Sequence, residues 1–250
     1  VPLIILPETD STNNYLTQLC DEQQSAIREF TTIIAERQTA GKGQRGNSWE
    51  SEDCRNITFS FVVYPTFVEA RRQFVLSQIV SLSIKEELDE WTEGISIKWP
   101  NDIYWNEKKI CGILIENDLS GHHIGRSISG IGVNINQEIF RSNAPNPVSL
   151  KQITGQEYDR YLILANIMRR LKEYYILLQT DTSGEAVNHI TEHYAHSLFR
   201  REGFHRYADA DGEFLARLLR VEPDGRFILE DQAGRERGYL FKEVQYILFP

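Results

Sequence analysis

Basic residues are the scarcer charge in this 250-residue chain, with 27 Lys and Arg against 36 Asp and Glu and a formal net charge of -9. Broad binding to nucleic acid needs a basic face that neutralises phosphates, so no nucleic-acid partner is expected and any anion site must be local. Cysteine is scarce as well. Cys20, Cys54 and Cys111 are odd in number and far apart, with neither C-x-x-C metal spacing nor a disulfide framework, and a cytoplasmic location fits best. No apolar run approaches the roughly 20 residues of a membrane helix, so no membrane partner is expected either. The opening VPLIILPE carries prolines and no basic start, unlike a signal peptide. There are no internal repeats and no low-complexity tracts. What remains is an ordinary globular composition, 41% hydrophobic and 25% charged, long enough for one large domain and a small one.

The coarse pattern is α+β. VPLIIL and Thr31 to Glu36 have strand length, with the helix-like STNNYLTQLC between them and Ser11 as its N-cap. ITFSFVV alternates, which puts Ile57, Phe59, Phe61 and Val63 on one face of a strand. Helical spacing runs from Glu69 to Trp91 and stops at Gly94; strands follow at ISIKW, KICGILIE and IGRSISGIGVNIN. A second long helix is expected to start at the Thr154/Glu157 capping-box pair and to run through Tyr161, Leu164, Met168, Leu171, Tyr175 and Leu178. After about Ser197 short β runs separated by the turn signals ADADG and PDG predict a small barrel-like domain.

Two stretches carry chemistry. AGKGQRGNSW, Ala40 to Trp49, fits G-x-G-x-x-G at Gly41, Gly43 and Gly46. A dinucleotide fold needs a helix directly after these glycines and an acid about 20 residues on. Here a strand follows instead, and neither a Walker pattern nor kinase segments are present. Lys42 and Arg45 within the glycine spacing suit a loop that wraps a phosphate or carboxylate, since glycines let backbone N–H groups approach an anion and the cations supply charge. The second stretch is KWPNDIYWNEKKICGILIE, Lys98 to Glu116. Alone it reads as a turn followed by a solvated hairpin tip at Lys108 and Lys109.

Taken in order, STN, QTAGKGQRGNSW, KWPND, KICGILIE and GIGVN resemble the biotin-protein ligases, also called biotin-[acetyl-CoA-carboxylase] ligases, over about Leu3 to Leu150. The resemblance implies a mixed β-sheet catalytic domain of the biotin/lipoate ligase type packed with helices, residues 1–197, and an SH3-like C-terminal β-barrel domain, residues 198–250. It implies biotin and ATP as substrates, Mg2+ as cofactor, biotinyl-5'-AMP as intermediate, and a carrier domain of a biotin-dependent carboxylase as partner, with a homodimer among the permitted assemblies. Lys109, Asp102, Lys42 and Arg45 are the implied catalytic residues, Asp102 also as a Mg2+ ligand. Biotin contacts are implied for Ser11, Thr12, Asn13, Gln38, Gly41, Lys42, Gly43, Gln44, Lys109, Gly112, Leu114 and Gly130. Nucleotide contacts are implied for Lys42, Arg45, Gly46, Trp49, Asn101, Lys109 and Asn134, with Gln137 to Ser149 as the adenine-side wall.

Lys42 and Gln44 depart from the family, whose members commonly carry Arg at both positions; Lys keeps charge without the bidentate fork, and Gln44 is expected to loosen adenylate retention. The chain begins at the first catalytic strand, so a repressor role is not expected. HITEH, His189 to His193, matches an inverted zinc-protease pattern but reads more simply as a solvated helix face. Cys111 raises a thiol-based lipoyl or octanoyl transferase as a rival, against its packing inside a strand. A non-catalytic biotin or adenylate sensor is the third reading.

Overall fold

The computed structural model describes residues 2–23, 26–43 and 47–248. Seven strands form the larger sheet: β1 (Leu3–Leu6), β2 (Thr32–Ala35), β3 (Ile57–Val63), β4 (Ile95–Lys98), β5 (Asp102–Trp105), β6 (Lys108–Ser120) and β7 (His123–Val133). Their order is β1-β2-β3-β7-β6-β5-β4. β1 and β2 are parallel, and α1 (Thr12–Glu22) crosses between them; every other neighbouring pair is antiparallel.

The alternation of β3 decides what covers each face. Ile57, Phe59, Phe61 and Val63 enter the main core with α2 (Phe74–Asp89), α4 (Arg160–Thr180) and α5 (Glu185–His196). Burying a side chain of this size contributes about 1.5–3 kcal/mol, so this face carries most of the sheet's stability. Val62 points the other way, into a second cluster with Leu16 and Cys20 of α1, Ile33 and Ile128. Thr58 and Ser60 share that second face and are buried too. A short 3-10 turn, Ala70–Arg72, precedes α2, so the helix begins later than its apolar spacing predicts, and Gly94 follows it at φ +86°. Glu87, buried in α2, accepts from Asn166 and Arg170 of α4 and from Trp91, which satisfies its charge at the helix interface.

The expected start of the second long helix needs correction. Thr154 closes a separate short helix, α3 (Leu150–Thr154), whose capping box is Ser149 with Gln152 and which ends at Gly155 in the left-handed conformation. The long helix starts at Arg160, where the Asp159 carboxylate accepts from the N–H groups of Tyr161 and Leu162. Gly155 breaks the path that a capping box beginning at Thr154 would have needed.

After α5 the chain hydrogen-bonds to the outer edge of β4, with Ile97 N–H donating to Ser197 O and Phe199 N–H to Ile97 O. It then builds a five-stranded antiparallel sheet from β8 (His205–Asp209), β9 (Gly212–Val221), β10 (Phe227–Asp231), β11 (Glu236–Tyr239) and β12 (Gln245–Tyr246), in order β11-β10-β9-β8-β12. Trp99 stacks on Phe227 at 4.8 Å, and its indole donates to Gly225 O, so the two sheets share one core.

Candidate active site

The face of the large sheet that α1 only partly covers holds a cavity of about 490 Å³. Small residues make this room. Gly112 and Gly132 are register partners on β6 and β7, and the Trp49 indole lies over both. A Cβ at Gly132 would stand 2.2 Å from Trp49 Nε1, and one at Gly112 would stand 2.8 Å from its Cζ3. The floor therefore accepts a flat ring at a distance no side chain would permit.

Lys109 reaches this floor through an irregularity. Strict alternation along β6 would group Lys109 with Cys111 and Ile113, both buried in the main core. A register shift opposite Ile103 and Tyr104 inserts one residue, so Ile110 and Cys111 both enter the core and Lys109 turns to the face of Gly112 and Leu114. Its Cε would lie 3.3 Å from a Cβ on Gly112. Lys109 Nζ pairs with Asp102 Oδ1 at 2.8 Å, both side chains about one-third exposed or less, and sits 5.9 Å from the Trp49 ring centroid. The backbone of Lys109 also bonds both ways to the opposite wall, donating to Asn146 O and accepting from Val148 N–H.

The N-terminus of α1 forms another wall. Ser11 occupies the N-cap position, yet its side chain makes no capping bond and is buried facing the cavity. Thr12 donates to Gln38 Oε1 from both backbone and hydroxyl, the single Ser60 O–H is shared between Thr12 Oγ1 and Asn13 Oδ1, and Asn13 Nδ2 donates to Glu116 at 2.8 Å. These bonds fix the orientation of the Asn13 amide and the Gln38 carbonyl in a buried setting, where hydrogen-bond chains are stiff.

The two described ends of the glycine-basic loop pair with each other: Trp49 N–H donates to Gly41 O and Gly43 N–H to Asn47 O, with Lys42 paired to Ser48. Lys42 Nζ donates to Asn14 Oδ1 at 2.5 Å at the cavity rim. Trp49 Nε1 is buried and, among the described residues, has no hydrogen-bond partner.

Of the residues singled out from the sequence, the cavity brings together Ser11, Thr12, Asn13, Gln38, Lys42, Gly43, Trp49, Asn101, Asp102, Lys109, Gly112, Leu114 and Gly130. Gln44, Arg45 and Gly46 lie outside the described residues. Gly41 and Asn134 stand behind the lining. Gly41 holds the base of the loop, and buried Asn134 ties down the far wall through Val148 O and Leu150 N–H. Within Gln137 to Ser149, residues 142–147 reach the cavity, whereas Gln137 is buried behind them.

Eight lining residues escape the sequence reading: Asn47, Ser48, Pro100, Ile113, Ile131, Gly132, Phe241 and Lys242. Gly132 belongs to GIGVN, and its pairing with Gly112 is a register fact that only the fold supplies. Ser48 lies inside the glycine-basic loop, while Phe241 and Lys242 come from the turn after β11 with no local signal. Beside the cavity, Lys98 packs its ammonium 5.2 Å from the Tyr104 ring and 4.9 Å from that of Tyr246. Burial pulls the Lys98 amine below its usual range; Asp102 acts against this, and Lys109 and Arg200 add to it. HITEH makes no metal centre: no cluster of three or more His, Cys, Asp or Glu able to hold a metal occurs among the described residues, and His193 Nδ1 instead meets the Tyr174 hydroxyl at 3.1 Å.

The mixed sheet, its glycine floor and the ordered motifs place the chain in a known class: it belongs to the biotin/lipoate A/B protein ligase family, whose family model matches residues 5–134. Within that family its relatives are biotin ligases. The bifunctional ligase/repressor BirA of Bacillus spizizenii is 28% identical over 218 residues, 84% of this chain and 65% of that protein, so the match spans about two thirds of that relative's length. The biotin--[acetyl-CoA-carboxylase] ligase of Paracoccus denitrificans is 30% identical over 162 residues, covering 62% of this chain and 65% of that protein. The biotin protein ligase from Aquifex aeolicus, solved in complex with biotin and ATP, superposes with a TM-score of 0.77 at 28% identity over 98% of this chain and 99% of that one.

Proposed function

We propose that the chain activates biotin with ATP to biotinyl-5'-AMP and pyrophosphate, then passes biotin to one lysine of a carrier domain of a biotin-dependent carboxylase. The observation that carries this reading is the placement of Lys42 and the Lys109–Asp102 pair at one cavity that also presents a glycine floor and the Ser11, Thr12, Asn13 and Gln38 hydrogen-bonding set. In the first step the biotin carboxylate oxygen attacks the α-phosphorus and pyrophosphate leaves. Two anions must approach, so fixed positive charge aimed at the point of attack is the chief requirement. Lys109 supplies it at the floor and Lys42 at the rim; Arg45 joins them in this reading from outside the described residues.

Biotin is largely apolar with one ureido ring. A prearranged set of donors and acceptors discriminates strongly here, because a ligand without matching groups leaves its members unpaired. The unpartnered Trp49 Nε1 fits the same picture, since a buried donor lacking a partner costs about 1–3 kcal/mol and a ligand acceptor would satisfy it. In the second step the carrier amine attacks the acyl carbon, the amide forms, and AMP departs with its electron pair.

Asp102 would be the protein ligand of Mg2+, whose chemistry is to neutralise the triphosphate. Its lone carboxylate at the cavity fits an ion that takes one or two carboxylates and fills its remaining positions with phosphate oxygens and water. Residues 1–197 carry the chemistry in this reading, and 198–250 contribute Phe241 and Lys242 to the rim.

The thiol-transferase reading is disfavoured by Cys111 itself, which is fully buried on the core face, where burial pushes its thiol well up and away from thiolate. A test is mass spectrometry of a biotin carrier domain after incubation with this protein, biotin and Mg-ATP. One biotin adduct is expected, lost with Lys109→Gln; an adduct from lipoate instead, or pyrophosphate release that does not depend on biotin, would overturn the reading.

A further inference from the structure

The Lys109–Asp102 pair poses a problem of charge. A lysine bound to a carboxylate 2.8 Å away is neutral as a unit, whereas two anions meeting at the cavity need positive charge left over. Lys42 and Lys242 stand exposed at the rim, where water and salt screen them. Arg200 is matched by Glu107 at 3.2 Å. Lys98 is different. It ends β4 and is the register partner of Asp102, the first residue of β5, so both side chains leave the sheet on the same face. Asp102 nevertheless gives its carboxylate to Lys109. Among the described residues Lys98 has no carboxylate within ion-pair distance, and its ammonium rests instead on two rings, those of buried Tyr104 and of Tyr246 in β12. A ring holds a cation through its quadrupole, with no opposite charge to cancel it. Lys98 is also partly buried, which lengthens the reach of its field. It lines a second cavity, of about 460 Å³, that shares Phe241 and Lys242 with the first.

From this placement we propose that Lys98 is a positioning residue whose unpaired charge, held on the Tyr246 ring of the C-terminal sheet, offsets Asp102 so that Lys109 keeps positive charge to offer an incoming anion. Two lysines against one aspartate leave the group positive, whereas the pair alone is not. Asp102 and Lys109 both act on Lys98 through charge, so the three respond together. An aspartate drawn towards Lys98 gives up less of Lys109 to neutralisation when a ligand anion arrives. Tyr246 lies in the sheet built after α5, and that sheet therefore contributes to the reaction centre by fixing a charge, beyond lending Phe241 and Lys242 to the rim. The part of the inference that concerns adenylation rests on the reading above; the charge balance does not.

The test uses Lys98→Met, which keeps the stem and removes the charge. Taking an unpaired charge out of a partly buried place should leave stability to urea unchanged or raise it, while anion binding and chemistry suffer. In the full chain without biotin or metal, inorganic pyrophosphate is expected to bind the wild type in titration calorimetry, to bind Lys98→Met about tenfold more weakly, and to bind Tyr246→Leu, which lacks the ring, about threefold more weakly. No binding to the wild type, or equal binding to wild type and Lys98→Met, would overturn the inference whatever the protein's substrate. With biotin and Mg-ATP, Lys98→Met is expected to slow single-turnover formation of biotinyl-5'-AMP about 30-fold while biotin affinity stays within twofold, and Lys98→Arg to bring the rate back to within about threefold of wild type. A Met variant that loses stability but keeps its adenylation rate would reveal a packing lysine and sink the proposal. A wild type that binds pyrophosphate in this Lys98-dependent way yet makes no adenylate would instead sink the biotin reading and leave the charge balance standing.

Discussion

Lys109 owes its place at the cavity to the backbone rather than to its own side chain. The inserted residue in β6 turns it out of the core and beside Gly112, where its ammonium meets Asp102 and faces the Trp49 ring. Lys109→Gln keeps most of the side-chain length and removes the charge, so adenylation is expected to slow about 100-fold or more with the fold intact. The glycine floor permits an equally local prediction. Gly132→Ala puts a methyl where the Trp49 indole now lies, 2.2 Å from Nε1. Overpacking of this kind costs about 1–3 kcal/mol, read by urea titration, and tryptophan emission should shift to the red as the indole is displaced. Unchanged stability and emission would mean that the ring does not rest on the floor. Most residues that line the cavity were legible in the sequence through the order of STN, the glycine-basic loop, KWPND and KICGILIE, since each stretch alone reads as a cap, a loop, a turn or a strand. The direction of Lys109 was not. Parity along the strand would have placed it with Cys111 in the core, and nothing in the sequence announces the bulge.

At the scale of elements, sequence periodicity located β3 and the body of α2 because apolar side chains recur there with the element's own period. It failed at helix ends, where one residue decides. Asp159, not Thr154, caps α4, because Gly155 had already turned the chain out of a helix. The loops at 40–49 and 137–149 were legible only in part: their glycines, prolines and polar residues signal loops, while the contacts of Glu50 with the Arg141 and Ser142 N–H groups span about 90 positions. In the C-terminal sheet, Asp231 closes the turn between β10 and β11. It accepts from the backbone N–H groups of Ala233 and Arg235 and from the guanidinium groups of Arg235 and Arg237. Burial works to raise its pKa, but the Arg235 backbone and side chain, Arg237 and Ala233 outweigh it and hold the carboxyl at about 2. The unfolded carboxyl, at about 3.9, takes up a proton first as pH falls. The stability Asp231 provides is therefore complete above about pH 4 and lost as pH falls towards 2. Asp231→Asn should lower stability at neutral pH and flatten the acid limb of a stability–pH curve between those values; an acid limb identical to wild type would show that the turn is held by other contacts.

On the scale of the whole molecule, two sheets built from distant parts of the chain share one core at the Trp99–Phe227 stack. The β runs after Ser197 were readable as strands, but their attachment was not, since it depends on long-range packing and on the pairing of residues 197–199 with β4. Phe227→Ala is expected to cost about 3–5 kcal/mol and to destabilise both sheets in a single cooperative transition; two separate transitions in calorimetry would show that the sheets fold independently. The shared core also fixes Phe241 and Lys242 at the rim of a cavity whose floor lies in the other sheet. In the proposed reading the cavity is where a carboxylate and a nucleotide phosphate meet beside fixed positive charge. The measurement that addresses this most directly is biotin-dependent exchange of labelled pyrophosphate into ATP. The wild-type chain should catalyse it with biotin and not with lipoate, and Lys109→Gln should reduce it about 100-fold; exchange that proceeds without biotin, or survives undiminished in the Lys109 variant, would contradict the account.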